Sequence, residues 1–376
     1  MKFTVSTSAL LKELQLVGGV INNNPVLPIL EDFLFQLKGN TLQITGSDLE
    51  TFVTSMVQVE AAEEGEIAIP SKILLETLKA LPEQPVHFDI NNETLALSII
   101  AQTGKYHLAG ESAEDFPEIP LTSEDTSEIS IPVASLQKAL SKTLFATSTD
   151  ELRPAMTGVN FEIDTNGATF VATDAHKLVK YYNSNITHTE YTNFIVPRKA
   201  LSLLKNALTS ASGDVSIEYS SSNAFFDISG MGITCRLVDA RYPDYSAVIP
   251  QNNTNILTVN RNDLEKAIKR LSIYSNKTTY QVKIKVSSGQ IHLSAEDLDF
   301  SNEANEKMMC EYNGEPMEIA FNARYLAEVL NAMDGENIHL KLSNPGKAGI
   351  IVPTESEEGE ELLMLVMPIM VSVNQY

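Results

Sequence analysis

Phe3-Thr4-Val5-Ser6 running into Ala9-Leu10-Leu11-Lys12-Glu13-Leu14, Ile131-Pro132-Val133 running into Leu136-Gln137-Lys138-Ala139-Leu140, and Leu257-Thr258-Val259-Asn260 running into Leu264-Glu265-Lys266-Ala267-Ile268 are three versions of one phrase. Each is a strand-like stretch, a polar cap and an amphipathic helix. Taking Val5, Val133 and Val259 as counterparts gives spacings of 128 and 126 residues. A second phrase repeats with them: Ile67-Ala68-Ile69-Pro70, Phe194-Ile195-Val196-Pro197 and Glu318-Ile319-Ala320-Phe321 each precede a Leu-rich helix. The residues opening those helices, Ser71, Arg198 and Ala323, lie 127 and 125 apart. Two markers with one period indicate a threefold internal repeat. Alternating runs such as Ala168-Thr169-Phe170-Val171-Ala172-Thr173 and Gln290-Ile291-His292-Leu293-Ser294 fill the intervals with half-buried strands. Each repeat is therefore an α+β unit of two helices and roughly eight short antiparallel strands. The connectors Phe116-Pro117-Glu118-Ile119-Pro120 and Tyr242-Pro243 through Ile249-Pro250 place the domains at 1–126, 127–252 and 253–376.

The composition, 43% hydrophobic and 20% charged, suits a globular chain. Met1-Lys2-Phe3-Thr4-Val5-Ser6 lacks the apolar run of a signal peptide, and no segment offers about 18 uninterrupted apolar residues, so the expectation is a cytoplasmic protein with no membrane role. Cys235 and Cys310 stand without partners at metal spacing; they read as buried small hydrophobes, and neither a metal nor a cofactor is implied.

A net charge of −22 argues at first against nucleic acid. The charge is segregated, however. The six helical windows 6–20, 71–81, 134–145, 197–208, 260–272 and 322–334 hold 13 Lys and Arg against 6 Asp and Glu, while the remaining sequence is strongly acidic. Glu is as good a helix former as Lys, yet the helices of the middle repeat carry five basic residues and no acid. Equivalent helices facing one axis would form a basic lining inside an acidic protein, effective over the screening length of roughly 8 Å. Lys138, Lys142 and Lys205 belong to that lining.

Thr173-Asp174-Ala175-His176 suggests a second class of function, a hydrolase with His176 as base and Asp174 orienting it. No nucleophile elbow, P-loop or HExxH motif accompanies it, so catalysis is disfavoured. A repeat scaffold without a DNA role is a third reading, and it leaves the helix-localised charge unexplained.

Pro25-Val26-Leu27-Pro28-Ile29-Leu30, Thr173-Asp174-Ala175-His176-Lys177-Leu178, Val196-Pro197-Arg198-Lys199, Arg241-Tyr242-Pro243-Asp244-Tyr245 and Val366-Met367-Pro368-Ile369 occur in an order that resembles the bacterial sliding clamps, the beta subunits of the replicative DNA polymerase, over the whole chain. The resemblance implies a non-enzymatic processivity factor. Two chains would join head to tail as a homodimeric ring encircling double-stranded DNA without regard to sequence, and would tether the polymerase catalytic subunit, the clamp loader and other proteins that carry a clamp-binding motif. It implies a partner-peptide pocket of Met156, Thr173, Ala175, His176, Lys177, Leu178, Pro243, Val248, Leu365, Met367, Pro368 and Ile369. It implies DNA contacts by Lys72, Lys79, Arg153, Arg198 and Lys199, and a dimer interface joining Lys105, Tyr106 and Leu108 to Ile273, Tyr274, Glu296 and Glu303 of the next chain. The family commonly has Gly and Arg where this chain has Ala175 and Lys177, has Arg where it has Asn24, and ends sooner after the Met-Pro pair, where this sequence continues from Met370 to Tyr376.

Overall fold

A computed structural model describes residues 1–120 and 126–370. Among them are six helices, α1 (Thr7–Gly18), α2 (Ser71–Ala80), α3 (Val133–Thr143), α4 (Arg198–Leu208), α5 (Arg261–Tyr274) and α6 (Ala323–Ala332). No helix of the described residues is long and apolar enough to cross a membrane. Each helix follows a strand directly. Ser6, Asn260 and Asn322 end their strands as N-caps, accepting the N–H of Ala9 at 3.3 Å, of Asp263 at 3.1 Å and of Arg324 at 2.9 Å. Pro70 and Pro197 hold the same place before α2 and α4, where a restricted φ turns the chain into the helix.

The repeat is present, with one marker displaced. Val5 lies opposite Val86, Ile131 opposite Val215 and Val259 opposite Ile338, each on the first strand of its repeat, whereas Val133 is the first residue of α3. Ile131 is thus the counterpart of Val5 and Val259. The strand runs through Pro132 before the helix begins, and an apolar helix-start residue beyond it imitated the strand.

Two compact units emerge, Met1–Gln137 with Val196–Leu237, and Lys138–Ile195 with Val238 to the end of the described chain. The first contains a five-stranded and an eight-stranded sheet. In the larger one, strand Met231–Arg236 of the second repeat pairs with strand Thr51–Gln58 of the first, Cys235 opposite Thr51 and Ile233 opposite Val53. The second unit repeats this join: Glu360–Val366 of the third repeat pairs with Lys177–Asn183 of the second, Val366 opposite Lys177 and Met364 opposite Val179. A sheet shared across each repeat boundary makes the compact unit larger than the repeat.

Aromatic side chains fill the first core: the rings of Phe3 and Phe88 stack at 4.7 Å, with Phe35 tilted 6.5 Å from both. Helix α1 covers the eight-stranded sheet with Leu10, Leu14 and Val17, and Gly46 permits the approach, since a Cβ there would stand 2.9 Å from the Val17 side chain. Cys235 is buried, which pushes its thiol up to about 12 and leaves it inert. Cys310, expected inside, is only partly covered.

Asp32 is 4% exposed, yet its Oδ2 has no hydrogen-bond partner among the described residues. Burial, reinforced by the carboxylates of Glu111 and Glu31, pushes its pKa up to about 7. The folded chain then holds a proton that the unfolded chain has released, so the stability this group contributes is fully present below about pH 4 and falls as pH rises towards 7, by about 4 kcal/mol in all. Asp32→Asn is expected to flatten this dependence and to unfold several degrees above the parent at pH 8. Thermal melts of both proteins at pH 5.5 and pH 8 check it, and parallel slopes would refute it.

Candidate functional site

The turn between strands Ala168–Thr173 and Lys177–Asn183 is built by its own side chains. Asp174 Oδ1 accepts the N–H groups of His176 and Lys177, both at 2.9 Å, and Thr173 Oγ1 accepts that of Ala175 while donating to the Lys177 carbonyl at 2.8 Å. Ala175 adopts φ +73°, a left-handed conformation easiest for glycine. Lys177, 5% exposed, reaches back to Asp174 Oδ2 at 2.6 Å and onward to Glu328 Oε2 on α6 at 3.1 Å, with its ammonium 4.8 Å from the Tyr325 ring centroid. Burial pulls the Lys177 pKa down, but the Asp174 and Glu328 carboxylates outweigh it and hold the group above the usual lysine value, firmly charged. The His176 ring stacks on Tyr325 at 5.3 Å.

Beside this turn lies a cavity of about 210 Å³ with a mainly apolar wall. The one-turn helix Pro154–Met156 contributes Met156; the turn and its second strand give Thr173, Ala175, Lys177 and Leu178; the connector gives Pro243, Asp244, Tyr245 and Val248; the last long strand and its exit give Leu365 and Met367. Nine of the twelve anticipated pocket residues are thereby brought together. His176 is held on α6, and Pro368 and Ile369 pair instead with Phe321 and Ala320. Residues 371–376, the continuation past Met370, lie outside the described residues.

Asp244 and Tyr245 were not anticipated as lining. Asp244 caps the one-turn helix Tyr245–Val248, and the Tyr245 hydroxyl donates to Glu162 Oε2 at 2.7 Å, fixing the connector over Val171, Leu178 and Leu365. Burial and the Glu162 carboxylate raise the Tyr245 pKa, so the phenol stays a donor. Met364 is core, while Met367 and Met370 are exposed.

Asp174 bonds the backbone of His176 rather than its ring, so the carboxylate–imidazole contact of a general base is absent. Among the described residues no group of three or more His, Cys, Asp or Glu could hold a metal ion.

The expected lining of free cations divides in two. Lys72, Lys79 and Arg198 are exposed on α2 and α4, and Lys205 is half-buried. The others sit in internal ion pairs. Lys138 meets Glu357 and Glu360 at 2.7 Å each. Lys142, 6% exposed, meets Asp334 at 2.6 Å and the Ala332 carbonyl at 2.7 Å. Lys199 meets Asp48, Asn22 and the Val20 carbonyl, and Arg153 meets Asp150 at 2.9 Å.

Models of the DNA polymerase III beta subunit match the chain throughout: the N-terminal domain over residues 1–120, the central domain over 130–244 and the C-terminal domain over 246–368. The chain belongs to the DNA polymerase III beta subunit family. The beta sliding clamp of Pseudomonas aeruginosa is 31% identical over 97% of this chain and 99% of its own, and that of Escherichia coli is 30% identical over 98% and 99%. The crystal structure of the P. aeruginosa clamp bound to griselimycin superposes with a TM-score of 0.92 at 29% identity, covering 99% of this chain and all of that one. The protein is accordingly a sliding clamp, a processivity factor of the replicative polymerase without a catalytic site of its own.

In this clamp the buried Lys177 bridges two carboxylates, and removing it strands Asp174. Lys177→Met is expected to destabilise the second unit by about 3 kcal/mol, as for a broken buried pair, while Lys177→Arg retains most of the stability. Urea unfolding followed at a tyrosine of this unit checks it, and equal losses in the two variants would count against the ion pair.

Proposed function

We propose that this clamp acts in the cytoplasm as a head-to-tail homodimer, its three repeats divided near residues 126 and 252, closing around duplex DNA while the cavity beside Thr173–Lys177 receives the apolar anchors of short peptides from the polymerase catalytic subunit, the clamp loader and other motif-bearing proteins. The observation that carries closure is an unequal pair of sheet edges. The last strand of the second repeat joins the first repeat, and the last long strand of the third, Glu360–Val366, joins the second. The corresponding strand of the first repeat, Lys105–Ala109, is the free edge of its five-stranded sheet, and the strand it would join by the same rule, Asn302–Met309, is the free edge of the other five-stranded sheet.

Register equivalence gives the pairing. Leu108 corresponds to Cys235 and Val366, and Asn302 to Thr51 and Lys177, so Leu108 falls opposite Asn302 of the second copy and Tyr106 opposite Ala304. Around these edges lie Ile273 and Tyr274 at the end of α5, together with Leu298 at 84% and Phe300 at 73% exposure, two apolar side chains that monomeric proteins seldom leave in water so close together. Lys105 brings a cation to a strand carrying Glu303 and Glu306, a favourable approach. Glu296 already engages Lys283 within its own chain.

For DNA, the exposed cations Lys72, Lys79 and Arg198 support a sequence-blind electrostatic contact, with Lys205 beside them; Lys138, Lys142, Lys199 and Arg153 contribute to it through the positions of the elements they tie down. The cavity's apolar wall with a few polar rim groups supports a peptide anchor.

Tyr106→Glu adds a negative charge opposite an acidic strand and is expected to halve the mass seen in sedimentation without changing the circular dichroism; a dimer of undiminished stability would exclude this edge. The parent protein, loaded onto nicked circular DNA, is expected to stay bound and to be lost when the circle is linearised. Equal retention on both forms would rule out encirclement.

A further inference from the structure

The cavity at the junction of the second and third repeats has a counterpart, in its turn, its first one-turn helix and the start of its connector, at the junction of the first and second. The turn Ser47-Asp48-Leu49-Glu50-Thr51 repeats the bonding of Thr173–Lys177: Asp48 Oδ1 accepts from Glu50 at 3.1 Å and Thr51 at 2.7 Å, Leu49 N–H donates to Ser47 Oγ at 3.0 Å, and Leu49 has φ +81° where Ala175 has +73°. Arg236 N–H donates to the Glu50 carbonyl at 2.9 Å as Met367 N–H does to His176 at 2.8 Å. The one-turn helix Pro28–Glu31 matches Pro154–Met156, setting Leu30 in the place of Met156, and Phe116-Pro117 matches Tyr242-Pro243.

The two junctions differ in side-chain volume. Phe52 holds the position of Leu178: Ser47 lies opposite Phe52 as Thr173 lies opposite Leu178, and the neighbouring strand sets Thr234 opposite the one and Leu365 opposite the other. The Phe52 ring, 4% exposed, packs with Leu30, Leu34 and Phe116, and Ile119 closes over them. Leu49 replaces the smaller Ala175, and Arg236 replaces the apolar Met367 of the wall.

Resting on the reading of the second-junction cavity as a peptide site, we infer that the first junction is a closed copy of that groove. The chain's own Phe52 ring fills the space that a partner's apolar anchor takes at the second junction, so that Phe52 limits each chain to one peptide. The ligand class is the same for both junctions: a short peptide with an aliphatic or aromatic anchor, held in an apolar slot beside an Asp-capped turn. Close packing makes the exclusion strict, because a site already at interior density has no room for a second side chain.

The test is a fluorescence titration of the full chain with a labelled peptide carrying adjacent Leu and Phe, with folding checked by thermal unfolding. The parent should bind one peptide per chain, and Leu178→Phe, which copies the first junction into the second, should weaken binding by at least about tenfold. Adding Phe52→Leu, Leu49→Ala and Arg236→Met to Leu178→Phe should restore one peptide per chain at the first junction. A folded combined variant that stays unbound overturns the inference. If that variant does not fold, Phe52→Leu with Leu49→Ala in the parent background decides by stoichiometry, two peptides per chain supporting the closed copy and one overturning it. A parent that binds no peptide overturns the reading of the second-junction cavity instead, which the first arm alone reveals.

Discussion

A strand at the edge of a sheet presents a row of unpaired N–H and C=O groups and needs a cover or a partner. Each repeat of this chain ends on such a strand, and its neighbours resolve the demand in one way, by pairing it with the strand that follows the Asp-capped turn of the preceding repeat. That obligation accounts for the sheets that cross repeat boundaries and for the two large compact units. It also leaves one strand of each kind, Lys105–Ala109 and Asn302–Met309, with a free side within a single chain. One edge of each kind is thus left open, and in the proposed dimer a second copy would supply the pairing in both directions at once, a heterologous contact that closes.

The turns that start these pairings show how one backbone serves different ends. Asp48 and Asp174 cap the same turn with the same bonds, and each adds an ion pair: Asp48 with Lys199, Asp174 with Lys177 and through it Glu328. A lysine whose three donors are engaged by fixed acceptors, as Lys199 is by Asp48, Asn22 and the Val20 carbonyl, is a structural pin. At the third turn Asp297 bonds Asp299 N–H at 3.2 Å, but Leu298 and Phe300 stand out into solvent. The constant part of the repeat builds the join; the variable side chains decide whether the join is packed, pocketed or open.

Much of this was legible in the sequence because it depends on order along the chain. Strand-to-helix phrases, the second helix starts and the alternating runs are local patterns, and they located all six helices. The slip at Val133 is local too: Pro132 ends the strand and α3 begins at once, so an apolar residue changes element without changing character. The pairing of Lys138 with Glu357 and Glu360, or of Lys142 with Asp334, joins residues about two hundred positions apart, and composition cannot show which lysines are already matched. His176 fell outside the cavity for the same reason, since the ring that captures it belongs to Tyr325 on α6. Tyr245 could have been recognised: an aromatic two residues after the connector proline, next to an Asp able to cap a turn, is placed to roof whatever the connector crosses.

The internal pairing of cations bears on how an acidic chain with a net charge of −22 can work on DNA. The salt dependence of binding follows the number of phosphates neutralised, so each Lys or Arg free to reach a phosphate adds both affinity and friction. Lys138, Lys142, Lys199 and Arg153 meet carboxylates of this chain, which removes them from that count while they brace the helices and turns that carry them. What remains on α2 and α4 is a sparse set of exposed cations. Sparse contact is poor for tight binding and good for sliding. For a protein held as proposed, by closure of a strand pairing rather than by contact strength, weak electrostatic contact suits the mechanism, and the acidic balance of the whole chain is compatible with the task.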